Sequence, residues 1–122
     1  MRQVRWILCA LVLSLPLYAE EAADKEARLL FEAGQSAMAD RDWEGAGRCF
    51  EQAVSKAPGA DFAEEASFLG AKALDLARHD ERAVAAYQEF LRSHPQSLFA
   101  SRARFLAFAF APDSFASRSL SL

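Results

Sequence analysis

Apolar residues recur at spacings of three and four from about residue 24 to residue 111 of the chain. This spacing places the apolar side chains on one face of a helix and leaves polar residues on the other faces. The pattern predicts an all-α fold of about five antiparallel helices. Their core-facing stripes are residues 27–38, 46–54, 66–77, 83–91 and 99–107.

Residues that favour turns and caps separate these stripes. Asp42 is expected to cap the second helix, because its carboxylate can accept the free N–H groups of the first turn. Asp61 stands three residues before Glu64, which predicts a capping box at the start of the third helix. Pro58 and Pro95 are expected to end the second and fourth helices, since proline cannot continue a helix.

The helical pattern repeats with a period of 37 residues, the separation of positions 46 and 83. In the second and fourth helices the repeated positions are Ala46, Phe50, Ala53 and Pro58, followed by Ala83, Tyr87, Phe90 and Pro95. A fixed period of this length indicates stacked helix-turn-helix units. It predicts repeats at about residues 24–60 and 61–97 and a half repeat at 98–111.

The first residues follow a different pattern. Arg2 and Arg5 precede an apolar run over residues 6–17, and the small Ala19 stands just before Glu20. This order predicts a secretory signal peptide over residues 1–19. The run is shorter than the roughly 20 apolar residues that a membrane-spanning helix needs, although an uncleaved membrane tether remains the alternative.

Net charge and cysteine content limit the classes of function and the covalent links that the sequence allows. The formal net charge is −3, which gives no indication of nucleic-acid binding. Removal of residues 1–19 would leave Cys49 as a single cysteine, which cannot form an internal disulfide. The aperiodic residues 112–122 are expected to form a disordered tail.

No arrangement of residues typical of an enzyme is present in the sequence. His79 and His94 lie beside predicted helix ends, and neither has a partner at metal-ligand spacing. There is no glycine-rich phosphate loop and no nucleophile elbow. The sequence therefore predicts a non-enzymatic protein without a metal or cofactor.

The repeated positions resemble a tetratricopeptide repeat, whose motif is W-x2-L-G-x2-Y, then A-x3-F, then P. In the first unit the matching residues are Gly34, Ala46, Phe50, Ala53 and Pro58. In the second unit Gly70, Ala83, Tyr87 and Pro95 correspond to them, and Phe90 stands where the motif usually has a small Ala. Gly70 and Ala83 are one residue further apart than their counterparts, which predicts that the turn inside the second unit departs from the pattern.

The resemblance implies a right-handed solenoid that binds protein or peptide partners. The long period is similar to bacterial periplasmic repeat proteins, such as the Tol-Pal-associated coordinator of envelope constriction and the outer-membrane assembly lipoproteins. Together with the predicted signal peptide, this similarity implies a periplasmic scaffold or adaptor in the cell envelope.

In the family, the first helix of each unit lines the concave ligand-binding surface. Carried over by register, the partner-binding residues would be Arg28, Phe31, Gln35 and Met38, then Glu64, Ser67, Ala71 and Asp75, then Arg104 and Phe108. For Phe31, Met38 and Phe108 a place in the core is the alternative.

The last predicted helix carries more aromatic residues than one face can bury. Phe105, Phe108 and Phe110 cannot all point to the same side of a single helix. Either this helix caps the array imperfectly, or it pairs with a following helix or with another copy of the chain. The second interpretation of the chain is therefore a structural piece of a larger or truncated repeat protein that associates with itself.

Overall fold

The computed structural model describes the backbone of residues 2–110 and the side chains of residues 19–109. The described residues form five α-helices and no strand: α1 Arg2–Ala39, α2 Trp43–Lys56, α3 Ala63–Leu76, α4 Asp80–Ser93 and α5 Ala100–Phe110. Each helix packs against the next one along the chain. The prediction of an all-α helical repeat is therefore confirmed.

Of the two terminal segments that the sequence predicts, the signal peptide and the tail, the structure describes only a part. α1 continues without a break across residues 19 and 20, where the signal peptide is predicted to end. The predicted tail at 112–122 lies outside the described residues.

The turns inside the first and second units are the same. Each contains an arginine in the left-handed region, Arg41 at φ 61° and Arg78 at φ 67°. In both turns this arginine N–H donates to the carbonyl three residues earlier, and the next N–H donates to the carbonyl five residues earlier, at 2.9–3.1 Å. The prediction of a different turn in the second unit is wrong, because the true counterpart of Gly34 is Ala71 and not Gly70.

One of the two predicted helix caps is present. The Asp42 carboxylate accepts a hydrogen bond from the Gly45 N–H at 3.0 Å, which confirms the α2 cap. Asp61 does not cap α3, whose N-cap residue is Phe62 without a side-chain hydrogen bond. A turn precedes this helix, so the Asp61 carboxylate lies too early in the chain and faces the Arg28 guanidinium at 3.4 Å.

The first core cluster forms around Phe50, which is fully buried between α1, α2 and α3. Its ring packs directly on the backbone of α1 at Gly34, where an added Cβ would lie 2.7 Å from the ring. The Phe31 ring fills the remaining space, with its centroid 5.8 Å from that of Phe50 and 5.2 Å from that of Phe62. A close helix contact is therefore filled by an aromatic ring.

The second core cluster repeats this arrangement between α3, α4 and α5. Tyr87 is fully buried at the position that corresponds to Phe50. The Phe68 ring lies 6.1 Å from Tyr87 and 5.8 Å from Phe90, and it stacks on Phe99 at 4.9 Å. Unlike the Phe50 ring, Tyr87 carries a hydroxyl, which is buried without a hydrogen-bond partner in the described structure.

The central helix α3 belongs to both clusters. Ala66 and Ala73 lie in the first cluster, and Phe68 and Ala71 lie in the second. Because α3 packs on α2 on one side and on α4 on the other, the surface of α3 between them is left as a trough.

Candidate functional site

A groove of about 1030 Å³ runs between α2 and α4, and α3 forms its floor. The residues that line it come from these helices and from the turns at their ends, and none comes from α1 or α5. They are Glu44, Gly47, Arg48, Phe50, Glu51, Val54, Pro58, Ala63, Ser67, Gly70, Ala71, Leu74, His79, Arg82, Ala85, Ala86, Glu89, Phe90, Ser93 and His94.

Small residues of α3 make the floor deep. Ala63, Ser67, Gly70 and Ala71 recur at spacings of three and four, so they share one face of the helix. Side chains of this size cannot fill the space between two neighbouring helices. The result is an apolar floor whose only side-chain hydroxyl is that of Ser67.

Charged side chains form the two rims. Glu44, Arg48 and Glu51 follow one another on α2 at helical spacing. Arg82 and Glu89 stand on α4. The groove therefore combines an apolar floor with rims that carry both signs of charge, which suits an amphipathic segment of another protein.

A side-chain contact joins the two rims at one end. Glu44 Oε1 lies 3.0 Å from His79 Nε2, between the first turn of α2 and the N-cap of α4. The side chains are 62% and 39% exposed. The sequence placed His79 beside a predicted helix end but could not show this contact, because the two residues are 35 positions apart in the chain.

The charged residues of the rims differ in whether they already form hydrogen bonds or ion pairs within the protein. Glu89 accepts from Arg92 Nε at 3.1 Å and also from the Ser93 hydroxyl. The hydrogen bond from Arg92 holds the pKa of the Glu89 carboxyl below its usual value. In the described part of the chain, Arg48, Arg82 and Glu51 make no side-chain hydrogen bond or ion pair. These three charges are available to a partner.

The predicted binding residues of α1 lie away from this groove. Arg28 is exposed, contacts Asp61 and lies 5.3 Å from the centre of the Phe62 ring. Phe31 is a core residue that is 8% exposed. Gln35 is exposed, and Met38 is half-buried against the first core cluster.

In α3, the predicted set divides between the groove and other surfaces. Ser67 and Ala71 line the groove, whereas Glu64 is half-buried outside it. Asp75 is half-buried near the Tyr87 hydroxyl. Burial raises the pKa of the Asp75 carboxyl, and the neighbouring charge of Asp80 raises it further.

With Ala71 as the counterpart of Gly34, the resemblance to the family assigns the predicted binding surface to different residues. At an offset of 37 residues, the counterparts of the α1 set are Glu65, Phe68, Lys72 and Asp75 in α3, followed by Arg102, Phe105 and Ala109 in α5. The predicted α5 residues, Arg104 and Phe108, are both exposed. The binding roles of all these residues stay predictions.

Metal clusters and membrane spans are both missing from the described residues. Within them, no group of three or more His, Cys, Asp or Glu side chains is placed to hold a metal ion. None of the helices there combines the length and apolar character needed to cross a bilayer.

Comparison with protein families finds a match on part of this chain. Residues 65–97 match the family model described as Tetratricopeptide repeat. Comparisons with curated proteins and with solved structures give no match. The matched segment runs from the first turn of α3 to the residues after α4, so it includes most of the groove floor and one rim. Repeats of this family generally mediate protein–protein interactions, and the second helical unit of this chain is similar to them.

Proposed function

We propose that the protein is a non-catalytic scaffold that holds an amphipathic segment of a partner protein in the groove between α2 and α4. The observation that carries the proposal is the groove itself, about 1030 Å³ with an apolar α3 floor and charged rims. A small-molecule site usually needs several convergent polar groups, and this floor offers one hydroxyl. A peptide instead gains from apolar floor contacts and from rim charges.

The charges on the rims indicate the chemistry of the partner segment. Arg48 and Arg82 stand on opposite rims and have no ion pair within the described structure. A segment with acidic residues on both sides of a small apolar stripe would match both arginines. A basic residue further along that segment would match Glu51.

The N-terminal sequence pattern supports a proposal for where in the cell the protein acts. We propose export to the bacterial periplasm, with removal of residues 1–19 and partners among envelope complexes. The basic start, the apolar run and Ala19 support this proposal. An intact-mass measurement of the protein from the periplasmic fraction should give a chain that begins at Glu20. A chain that keeps residues 1–19 would favour the tethered alternative.

Photo-crosslinking tests the groove. A photoreactive amino acid at Ser67, on the groove floor, is compared with the same amino acid at Gln35, which is exposed on α1. The proposal expects one specific protein adduct from position 67, with loss of that adduct when Arg48 and Arg82 are both changed to Glu. An adduct from position 35 alone would instead favour the surface inferred from family register.

A further inference from the structure

One aromatic residue of α5 is exposed although its counterparts are buried. Phe31 and Phe68 occupy the same position in the first and second units and are 8% and 4% exposed. Each packs against aromatic residues of the helix that follows it. Phe105 is the third residue of this series, and it is 70% exposed.

The shape of this surface does not suit another helix of the same kind. The Phe50 ring of the following helix packs on Gly34, and Ala71, the corresponding residue of the second unit, is buried in the same core cluster as Tyr87. The third residue in that series is Phe108. A following helix with an aromatic residue at the usual place would therefore meet the large Phe108 side chain instead of a small residue. The outer face of α5 fits a different occupant.

Charge distinguishes the outer face of α5 from the rest of the array. Arg102 and Arg104 precede Phe105, and α5 contains no acidic residue. Neither arginine has an ion pair in the described structure. An occupant with an acidic residue beside an exposed apolar side chain would complement this face.

The opposite end of the array carries such a face. Leu29 on α1 is 59% exposed and points away from the first core cluster. Glu32, Ala33 and Ser36 lie on the same side of the helix and are exposed. Glu32 has no ion pair among the described residues.

We propose that copies of this chain associate end to end, with α5 of one copy packed against α1 of the next. In an antiparallel arrangement with Phe105 opposite Leu29, Arg102 lies opposite Glu32. The same register places the small Ser101 opposite Ala33, which allows the helices to approach closely. The contact uses neither rim of the groove, so it is independent of the proposed function.

The geometry of this contact determines the kind of assembly. The two surfaces differ, so the contact is heterologous, and it forms open chains unless the rotation between copies closes a ring. A single helix–helix contact buries less than the roughly 1,200–2,000 Å² of a standard interface. The association should therefore be weak, and salt should weaken it further because the Arg102–Glu32 pair is exposed to solvent.

Sedimentation velocity over a wide concentration range tests the proposal with a pair of charge reversals. The protein is expressed from its full sequence as wild type, Arg102→Glu and Glu32→Arg. The wild type should show a weight-average mass that rises with concentration. Each single variant should need roughly threefold to tenfold higher concentration for the same mass, because one exposed ion pair is replaced by a repulsive pair.

Mixing the two variants provides the decisive control. In an equimolar mixture, α5 of the Arg102→Glu variant can pack against α1 of the Glu32→Arg variant, which forms an ion pair with its two charges exchanged. The original ion pair forms where the same two variants meet through their other ends. Because each end finds a compatible end on half of the molecules, association should return to within about twofold of the wild-type level at the same total concentration. Circular dichroism of each variant should match the wild type, since both sites are exposed.

Three results would overturn the proposal. The first is a wild type that stays monomeric at every concentration. The second is Glu32→Arg associating as the wild type does, which would indicate a contact between two α5 helices. The third is a mixture that associates no better than its components.

Discussion

The first and second helical units fill the same close contact with different pairs of residues. In the first the Phe50 ring packs on Gly34, and in the second the corresponding residues, Ala71 and Tyr87, are buried in one core cluster. Gly34 lets the Phe50 ring lie on the backbone of α1, whereas the second unit tolerates a methyl group at this position. Tyr87 also carries a buried hydroxyl without a hydrogen-bond partner, and Phe50 has no polar atom to satisfy. In the first contact, the stability of the core therefore depends on the small space at Gly34. In the second, it depends on the buried polar hydroxyl.

The largest effect is expected from a charge in the first contact. Phe50→Asp places a carboxylate where the side chain is fully buried, and both the lost ring and the buried charge destabilise the fold. We expect a variant that is largely unfolded at 25 °C by circular dichroism. Tyr87→Asp should have the same effect in the second contact. Full helicity and an unchanged melting temperature in both variants would contradict the shared core arrangement.

The limit on space is tested by Gly34→Ala. The added Cβ would lie 2.7 Å from the Phe50 ring, which is packed on all sides and cannot move away easily. We expect a loss of about 1–3 kcal/mol in the free energy of unfolding, measured by urea denaturation.

Gly59→Ala is the matched control for this change, because no heavy atom lies within 4 Å of an added Cβ there. Its free energy of unfolding should stay within about 0.5 kcal/mol of the wild type. Equal losses at the two sites would show that Gly34 is not required by the Phe50 contact.

The limit on polarity is tested by exchanging the hydroxyl between the units. Tyr87→Phe removes a buried hydroxyl that has no partner, so we expect a gain of up to about 1 kcal/mol in the free energy of unfolding. Phe50→Tyr adds a hydroxyl to a fully buried ring and should lower the free energy by about 1–3 kcal/mol. A loss of stability in Tyr87→Phe would mean that the hydroxyl is satisfied in solution.

The smallest expected effect concerns Asp75, near the Tyr87 hydroxyl. Burial and then the charge of Asp80 raise the pKa of the Asp75 carboxyl above its ordinary 3.8. Ionisation of this group therefore costs more in the folded state, and its contribution to stability falls as pH rises from about 3.8 through the raised pKa. Asp75→Asn should raise the melting temperature slightly at pH 7, and the difference should disappear near pH 3.

Glu89→Gln should change the melting temperature in the opposite direction. The Arg92 hydrogen bond lowers the pKa of Glu89, so its ionised form favours the folded state. The variant should melt slightly below the wild type at pH 7, with a difference that vanishes under acidic conditions. The same direction of change in both variants would contradict these local charge effects.

Local signals explain why most of the fold could be predicted from the sequence. Apolar spacing, Asp42 and the prolines depend on neighbours within one or two turns, and they predicted that α2 begins after Asp42 and that α2 and α4 end before Pro58 and Pro95. The prediction that Asp61 caps α3 was wrong, because a capping-box spacing cannot show where the first helical turn begins. The prediction that Gly70 corresponds to Gly34 was wrong: both are glycines, but the 37-residue spacing points to Ala71.

The groove could not be predicted in the same way. Its rims come from α2 and α4, and which faces of these helices remain open depends on how both pack on α3. The carried-over family register placed the ligand on α1, α3 and α5 instead. The spacing of Ala63, Ser67, Gly70 and Ala71 was the one available signal for a trough on α3.

Sharing of α3 between the two clusters also bears on how the array unfolds. Stacked repeats often lose their units one after another, because each unit contacts only its neighbours. Here Ala66 and Ala73 of α3 pack on one side while Phe68 and Ala71 pack on the other. Fraying of either end therefore reaches the helix on which both halves depend, so α2 to α4 should exchange their amide protons as one cooperative unit.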